Sequence, residues 1–170
     1  MKKIPVLDLR PQLDSIKAEV MAAIEGVIDS TAFINGPATR AFEEQAAAYL
    51  GVKHAIGVNS GTDALVIGMR AAGIGPGDEV ITTPFSFFAT AESISNIGAV
   101  PVFVDIEEES MNIDASLIEA AITDKTKAIL PVHLFGRAAD MTAIIDVAAK
   151  HNFKVIEDCA QAHGAAIEDK

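Results

Sequence analysis

The stretch GDEVITTPFSFFATAESISNIGAVPVFVD, residues 77–105, decides the fold class. Its outer parts, EVIT (79–82) and VPVFVD (100–105), are short, nearly continuous apolar runs, the pattern of strands buried on both faces. Between them ATAESISNIG (89–98) reads as a helix. Two strands joined through a helix run parallel, because the helix carries the chain back to the end from which it started.

The same alternation continues in both directions. HAIGVN (54–59), KAILPV (127–132) and KVIED (154–158) are the further expected strands. SGTDALVIGMRAAG (60–73), DASLIEAAI (114–122) and DMTAIIDVAAKH (140–151) are the expected helices, the last two opened by Asp114 and Asp140 as N-caps. The sequence therefore predicts an α/β fold with a mostly parallel sheet and helices on both faces. GIGPGDE (73–79) is glycine-rich but precedes a strand instead of following one, so it reads as a turn. Ahead of the sheet, Leu13, Ile16, Val20, Ile24, Val27 and Ile28 mark one stripe of a helix over residues 11–30. Residues 31–36 interrupt it, and Pro37 opens a second helix that stops at Gly51, a candidate left-handed cap.

Composition narrows the function. Half of the 170 residues are apolar and 22% are charged, a globular balance with room for one α/β domain. Thirteen Lys and Arg against twenty-four Asp and Glu leave a net charge of −11. A field that acidic repels phosphate backbones and anionic lipid, so neither nucleic acid nor a membrane surface is an expected partner. Any anionic ligand must be held by local donors. The single cysteine, Cys159, excludes an internal disulfide and fits a cytoplasmic location, and it reads as a small buried apolar group facing away from Asp158. MKKIPVLDLRPQ at the start has no sustained apolar core, so no signal peptide is expected, and no apolar run approaches membrane-spanning length.

Ligands of open parallel sheets bind beyond the carboxyl ends of the strands. Four segments bring polar or aromatic groups there: SGTDA, TTPFSFFAT, HLFG and EDCAQAHGA. SGTDA puts Gly61, Thr62 and Asp63 at a helix N-terminus, where free N–H groups suit a phosphate; the same residues also make an ordinary capped helix start. Phe85 and Phe87 alternate with Phe88 in an extended reading, so one side could offer a ring to a flat cofactor, or all three could be core. Asp158 ends an apolar run, and a shielded carboxylate needs a cation: a protonated ring nitrogen, or an ordinary salt bridge, with Glu157 as a competitor. His133 and His163 lie at strand ends where they could line a pocket or serve structure; the histidine spacing matches no metal site.

Taken together, GPATRAFEEQAAAYLG, NSGTDAL, GPGDEVITTPFSFFATAESI, GAVPVFVDI, LPVHLFG and IEDCAQAHGA resemble, in order and spacing, the DegT/DnrJ/EryC1/StrS sugar aminotransferases over essentially the whole chain. The resemblance implies part of the large domain of the pyridoxal-phosphate (PLP) transferases of fold type I. It implies that Asp158 pairs with the pyridinium nitrogen as the catalytic carboxylate, that Phe87 stacks on the ring, and that Gln161 hydrogen-bonds the phenolic oxygen. Gly61, Thr62 and Asp63 would hold the phosphate. The implied reaction moves an amino group, usually from glutamate, to a keto group on a nucleotide-linked sugar.

The family anchors PLP on a lysine beyond the EDCAQAHGA segment, and Lys53, Lys125, Lys127, Lys150 and Lys154 match no such position. Two divisions of the chain are thus expected: residues 1–36, an N-terminal helix with a dimer and active-site loop, and residues 37–170, a PLP-binding large domain without its C-terminal strands or the small domain. The 54–59 strand would find its neighbour outside the chain. A homodimer is expected for the intact protein, with residues 33–37 among its contacts. A sugar 3-dehydratase of the same family, with histidine at the anchor, and a catalytically inactive fragment or binding module are the alternative readings.

Overall fold

A computed structural model describes residues 4–167, which fall into two compact units, one up to Gly57 and one from Val58 onward. The first unit contains α1 (Arg10–Ser30) and α2 (Pro37–Leu50). Proline in the first turn starts each helix, and a left-handed residue ends each: Thr31 at φ 53° and Gly51 at φ 65°. The Gly51 cap is the one the sequence predicts. No residue of α1 is buried, so its apolar stripe stands exposed at Leu13, Ile16, Val20, Ile24 and Ile28.

The second unit is the α/β layer. Its elements are α3 (Gly61–Ala71), β1 (Glu79–Thr82), α4 (Ala89–Asn96), β2 (Val100–Phe103), α5 (Ala115–Ile118), β3 (Thr126–Leu130), α6 (Met141–His151) and β4 (Lys154–Val155). The four strands form a parallel sheet in the order β2-β1-β3-β4. The expected strand at 54–59 does not form. No strand among the described residues pairs with those residues, and the Gly57 N–H turns instead to the Glu43 carboxylate at 2.7 Å. An apolar run becomes a strand only where a ladder partner satisfies its backbone groups.

Residues on the two faces of the sheet sort the helices. Val80 from β1 and Ala128 and Leu130 from β3 pack with Leu65 and Met69 of α3 and Ile94 of α4. One position along, Ile81 and Ile129 pack with Ile118 of α5 and Ile144 of α6. The period of two thus places α3 and α4 on one face and α5 and α6 on the other, which gives the expected helices on both faces their assignment. Asp114 and Asp140 cap α5 and α6, accepting hydrogen bonds from the N–H groups of Ser116 and Ala143. The 73–79 turn closes through the Asp78 carboxylate, which accepts the Gly75 N–H at 2.9 Å, with Gly73 and Gly77 left-handed.

Ile81 is completely buried at the centre of the sheet. Truncating such a side chain removes its transfer energy and leaves a cavity, costing about 2–5 kcal/mol. Urea unfolding of Ile81→Ala is expected to show a loss in that range, whereas Ile67→Ala, at an exposed position of α3, should change stability by less than about 0.5 kcal/mol.

Candidate active site

The chain leaves β1 for β2 on one side and later leaves β3 for β4 on the other, so the carboxyl ends of β1 and β3 flank a topological switch point. Helices connecting in opposite directions leave a crevice there. A cavity of about 280 Å³ occupies it, lined by Gly61, Thr62, Phe87, Asp158 and Gln161 together with apolar atoms of Leu65 and Val132. Five of the residues singled out from sequence therefore meet in one place.

The α3 terminus supplies one wall. Ser60 caps it, its Oγ accepting the Asp63 N–H at 3.1 Å. That commits the Asp63 N–H to the helix, and Asp63 does not line the cavity. Gly61 and Thr62 remain in the first turn, where N–H groups have no partner within the helix and the dipole favours an anion. A Cβ at Gly61 would meet no atom within 4 Å, so glycine keeps the space beside this terminus open.

Residues 83–88 supply the aromatic wall, but not by strand alternation. Thr83 Oγ1 accepts the Phe85 N–H at 3.2 Å and turns the chain off the sheet, while Phe88 is already helical as the residue capping α4. The three phenylalanines are consequently surface groups and not core; Phe87 is 76% exposed.

Asp158 is placed by backbone pairing beyond β4. Its N–H donates to the Pro131 carbonyl at 2.9 Å, and its carbonyl accepts the His133 N–H at 3.1 Å. The half-buried carboxylate accepts the Ala160 N–H on Oδ1 at 3.1 Å, and Thr90 Oγ1 lies 3.5 Å from Oδ2. Thr90 is itself buried and bonded to Ser86 Oγ at 2.9 Å. Among the described residues no Lys, Arg or His forms an ion pair with Asp158. The ordinary salt bridge that competed with a ligand cation is therefore not made.

Gln161 completes the cavity. Its Oε1 accepts the Phe135 N–H at 2.8 Å, which leaves the amide NH2 as the group able to donate elsewhere. The 134–137 turn behind it is clamped by Asn112, almost fully buried: its Oδ1 accepts the Leu134 N–H and its Nδ2 donates to the Arg137 carbonyl, both at 2.9 Å. Ser60 was legible as a cap ahead of Gly61. Asn112 carries no local signal, because its partners lie 22 and 25 residues away.

His133 lies elsewhere. With Glu157 and Cys159 it lines a separate cavity of about 390 Å³, while His163 lines none of the cavities described. Alternation turns Cys159 away from Asp158, as expected, and Glu157, the competing carboxylate, with it; but Cys159 is exposed and not buried, because it borders this open cavity beyond the last pair of β4. The ligand-type atoms of His133, Glu157 and Cys159 lie within 4.8 Å of one another. They do not suit a metal: His133 Nδ1 accepts the Ala139 N–H at 3.1 Å, so the neutral ring carries its proton on Nε2, the atom a metal would need. That Nε2 instead meets Glu157 Oε2 at 2.9 Å. Hydrogen bonding to Cys159 and then to Glu157 pushes His133 up to about 9 against its burial, and the ring in turn lowers Glu157.

The DegT/DnrJ/EryC1/StrS aminotransferase family model matches residues 14–170. A pleiotropic regulatory protein of Geobacillus stearothermophilus is 52% identical over 98% of this chain and 45% of its own length. A UDP-N-acetyl-3-dehydro-alpha-D-glucosamine 3-aminotransferase of Acidithiobacillus ferrooxidans is 49% identical over 96% of this chain and 44% of its own. Among solved structures, S. venezuelae DesV in complex with a ketimine intermediate superposes with a TM-score of 0.94 at 45% identity, covering 96% of this chain and 44% of DesV. The chain thus spans a little under half the length of the proteins it matches.

The His133–Glu157 pair makes stability depend on pH. His133, raised above its ordinary 6.5, adds stability that is whole below that value and lost as pH climbs toward 9. Glu157, lowered from 4.5, adds stability above that value that is lost as pH falls through its folded pKa. The contribution therefore peaks between about pH 4.5 and 6.5. Glu157→Gln is expected to lower the His133 midpoint in an NMR titration and to flatten the decline in stability above pH 6.5; an unmoved midpoint would show that the carboxylate does not act on the ring.

Proposed function

Because this chain belongs to the DegT/DnrJ/EryC1/StrS aminotransferase family, we propose that it forms the cofactor-binding part of a PLP-dependent enzyme that transfers an amino group to a keto nucleotide-sugar. The observation that carries this reading is Asp158, a carboxylate oriented by backbone pairing and by the Ala160 N–H, lining a cavity with no cation among the described residues to pair with it. A protonated pyridine nitrogen is the cation that fits. The residues around it match the remaining parts of the cofactor: the open helix terminus at Gly61 and Thr62 for a phosphate, the exposed Phe87 ring for a flat heterocycle, the Gln161 amide for a phenolic oxygen.

When bound, PLP supplies an electron sink for bonds at the amino-bearing carbon. The protein's contribution is to set that sink. Ionised Asp158 favours the protonated ring nitrogen, and the low-dielectric walls of Leu65 and Val132 strengthen the pairing. Gly61 and Thr62 hold the phosphate against the net charge of −11 because their donors lie within hydrogen-bond reach while the global field is screened by salt. The Ala160 N–H orients the Asp158 carboxylate on one oxygen, and the Thr90 hydroxyl, itself bonded to Ser86, lies beside the other. Among the described residues no lysine lines the cavity, so those that do line it would bind the cofactor without a covalent anchor from among them.

Glutamate as amino donor follows from the family resemblance, and a nucleotide-linked keto sugar as acceptor is supported by the relatives' names. We place the protein in the cytoplasm; among the described residues no helix is long and apolar enough to cross a membrane, and the lone cysteine fits a reducing compartment. A homodimer is supported by the exposed apolar stripe of α1.

Titration of the 170-residue chain with PLP, followed by absorbance, tests the reading. Saturable binding is expected, reversible on dialysis, with borohydride fixing the cofactor to no particular lysine. Loss of a charge-assisted contact costs about 1.5–3 kcal/mol, so Asp158→Ala should weaken binding about ten- to a hundredfold. Pyridoxal lacking the phosphate should bind correspondingly less well. Equal affinity of the wild type and Asp158→Ala would sink the assignment of the site.

A further inference from the structure

Of the four segments that converge on the strand ends, HLFG (133–136) has been given no role of its own above, and it carries a non-glycine residue with positive φ, Phe135. We propose that the left-handed turn at Phe135 is a positioning device for Gln161: the Phe135 N–H holds the side-chain oxygen and so commits the amide NH2 to the cofactor's phenolic oxygen. This inference rests on the PLP reading of the cavity.

Gln161 is exposed, and a terminal amide on an unrestrained glutamine rotates about a broad, two-fold torsion. It would then present its oxygen to the ligand as readily as its nitrogen. The 2.8 Å bond from the Phe135 N–H removes that freedom, because an N–H can bond only the oxygen end. Gln161 borders both the switch-point cavity and the neighbouring hollow lined by Phe135, so it stands between the turn and the ligand space.

The turn is held in place for its backbone and not for its ring. Phe135 adopts φ 56° and ψ 23°, a conformation that phenylalanine rarely takes. Its ring gives little in return, being 72% exposed with a single edge-on aromatic contact to Phe85 at 6.5 Å. The surroundings impose the geometry instead. Asn112 grips the turn at Leu134 and Arg137, and the Arg137 N–H closes it onto the Leu134 carbonyl at 3.1 Å. A non-glycine residue kept left-handed by a buried clamp, with its N–H spent on a ligand-facing side chain, is strain maintained at a functional site.

Two measurements test this, the first without cofactor. Amide exchange by NMR on the full chain should show the Phe135 N–H protected, and Gln161→Ala should speed its exchange about tenfold or more while leaving the Leu134 amide, held by Asn112, unchanged. Equal exchange at Phe135 in both proteins overturns the proposal whatever the cofactor does. The second compares affinity for PLP with that for 3-deoxypyridoxal 5′-phosphate, which lacks the phenolic oxygen. The wild type should prefer PLP by about tenfold, the worth of one hydrogen bond to a charged oxygen. Gln161→Ala should abolish the preference. Phe135→Gly, which accepts positive φ without strain, should keep it. Phe135→Val, for which positive φ is a severe outlier, should lose it with affinity for the deoxy compound unchanged. Retention of the preference in Phe135→Val, or its loss in Phe135→Gly, overturns the proposal. A wild type that binds both compounds equally overturns the phenolic-oxygen role of Gln161, and with it the purpose assigned to Phe135. Failure of the wild type to bind either compound overturns the PLP reading itself.

Discussion

Parallel pairing of β1 with β3 at the centre of the sheet places every other part of the site. It aligns Val80 with Ala128, Ile81 with Ile129 and Thr82 with Leu130, so two strands with buried carboxyl-terminal halves end side by side. The Thr82 hydroxyl reinforces the junction by donating to the Leu130 carbonyl at 2.7 Å. Because the connections to β2 and β4 depart in opposite directions from this pair, the crevice forms here and not at another strand end. Moving the register by one residue would exchange the faces of all these side chains and send α3 and α4 packing residues to the wrong side.

From that junction the site is assembled by different physical means on each wall. Asp158 is a matter of strand pairing carried two residues past the last regular hydrogen bonds, through the bridge with Val132. Gly61 and Thr62 depend on a helix start capped by Ser60, which leaves the first-turn donors of α3 free. Gln161 depends on a loop whose conformation is unfavourable in itself and is held by a buried asparagine. Rigid elements thus place the charged group, and the more costly irregular backbone orients a neutral amide. Each strained residue of this kind costs on the order of 1–3 kcal/mol, an expense that a core packed on both faces of the sheet can offset.

The opposite side of the Asp158 strand shows how the same alternation builds a structural feature from adjacent residues. Glu157 and Cys159 face His133, whose ring is fixed by Ala139. Asp158 lines the switch-point cavity. One stretch of backbone thus separates a hydrogen-bonded titrating pair from the carboxylate of the candidate site, and alternation keeps the two from exchanging partners.

Most of the regular structure was legible in the residues: β1 at Glu79–Thr82, the starts of α5 and α6 at Asp114 and Asp140, and the Gly51 cap all follow from local periodicity and local hydrogen bonding. So was the convergence of Gly61, Thr62, Phe87, Asp158 and Gln161, since a parallel sheet gathers the carboxyl ends of its strands. The resemblance already implied that the 54–59 run lacks a ladder partner within the chain; the tertiary structure decided what its backbone does instead, turning the Gly57 N–H to the Glu43 carboxylate. It alone sent His133 and Cys159 to a separate cavity, committed the Asp63 N–H to Ser60 rather than to a ligand, and brought Asn112 under the Phe135 turn. Periodicity fixes which face a residue takes relative to its neighbours in the chain. Which groups meet across 20 or more residues depends on packing and backbone pairing that no local stretch encodes.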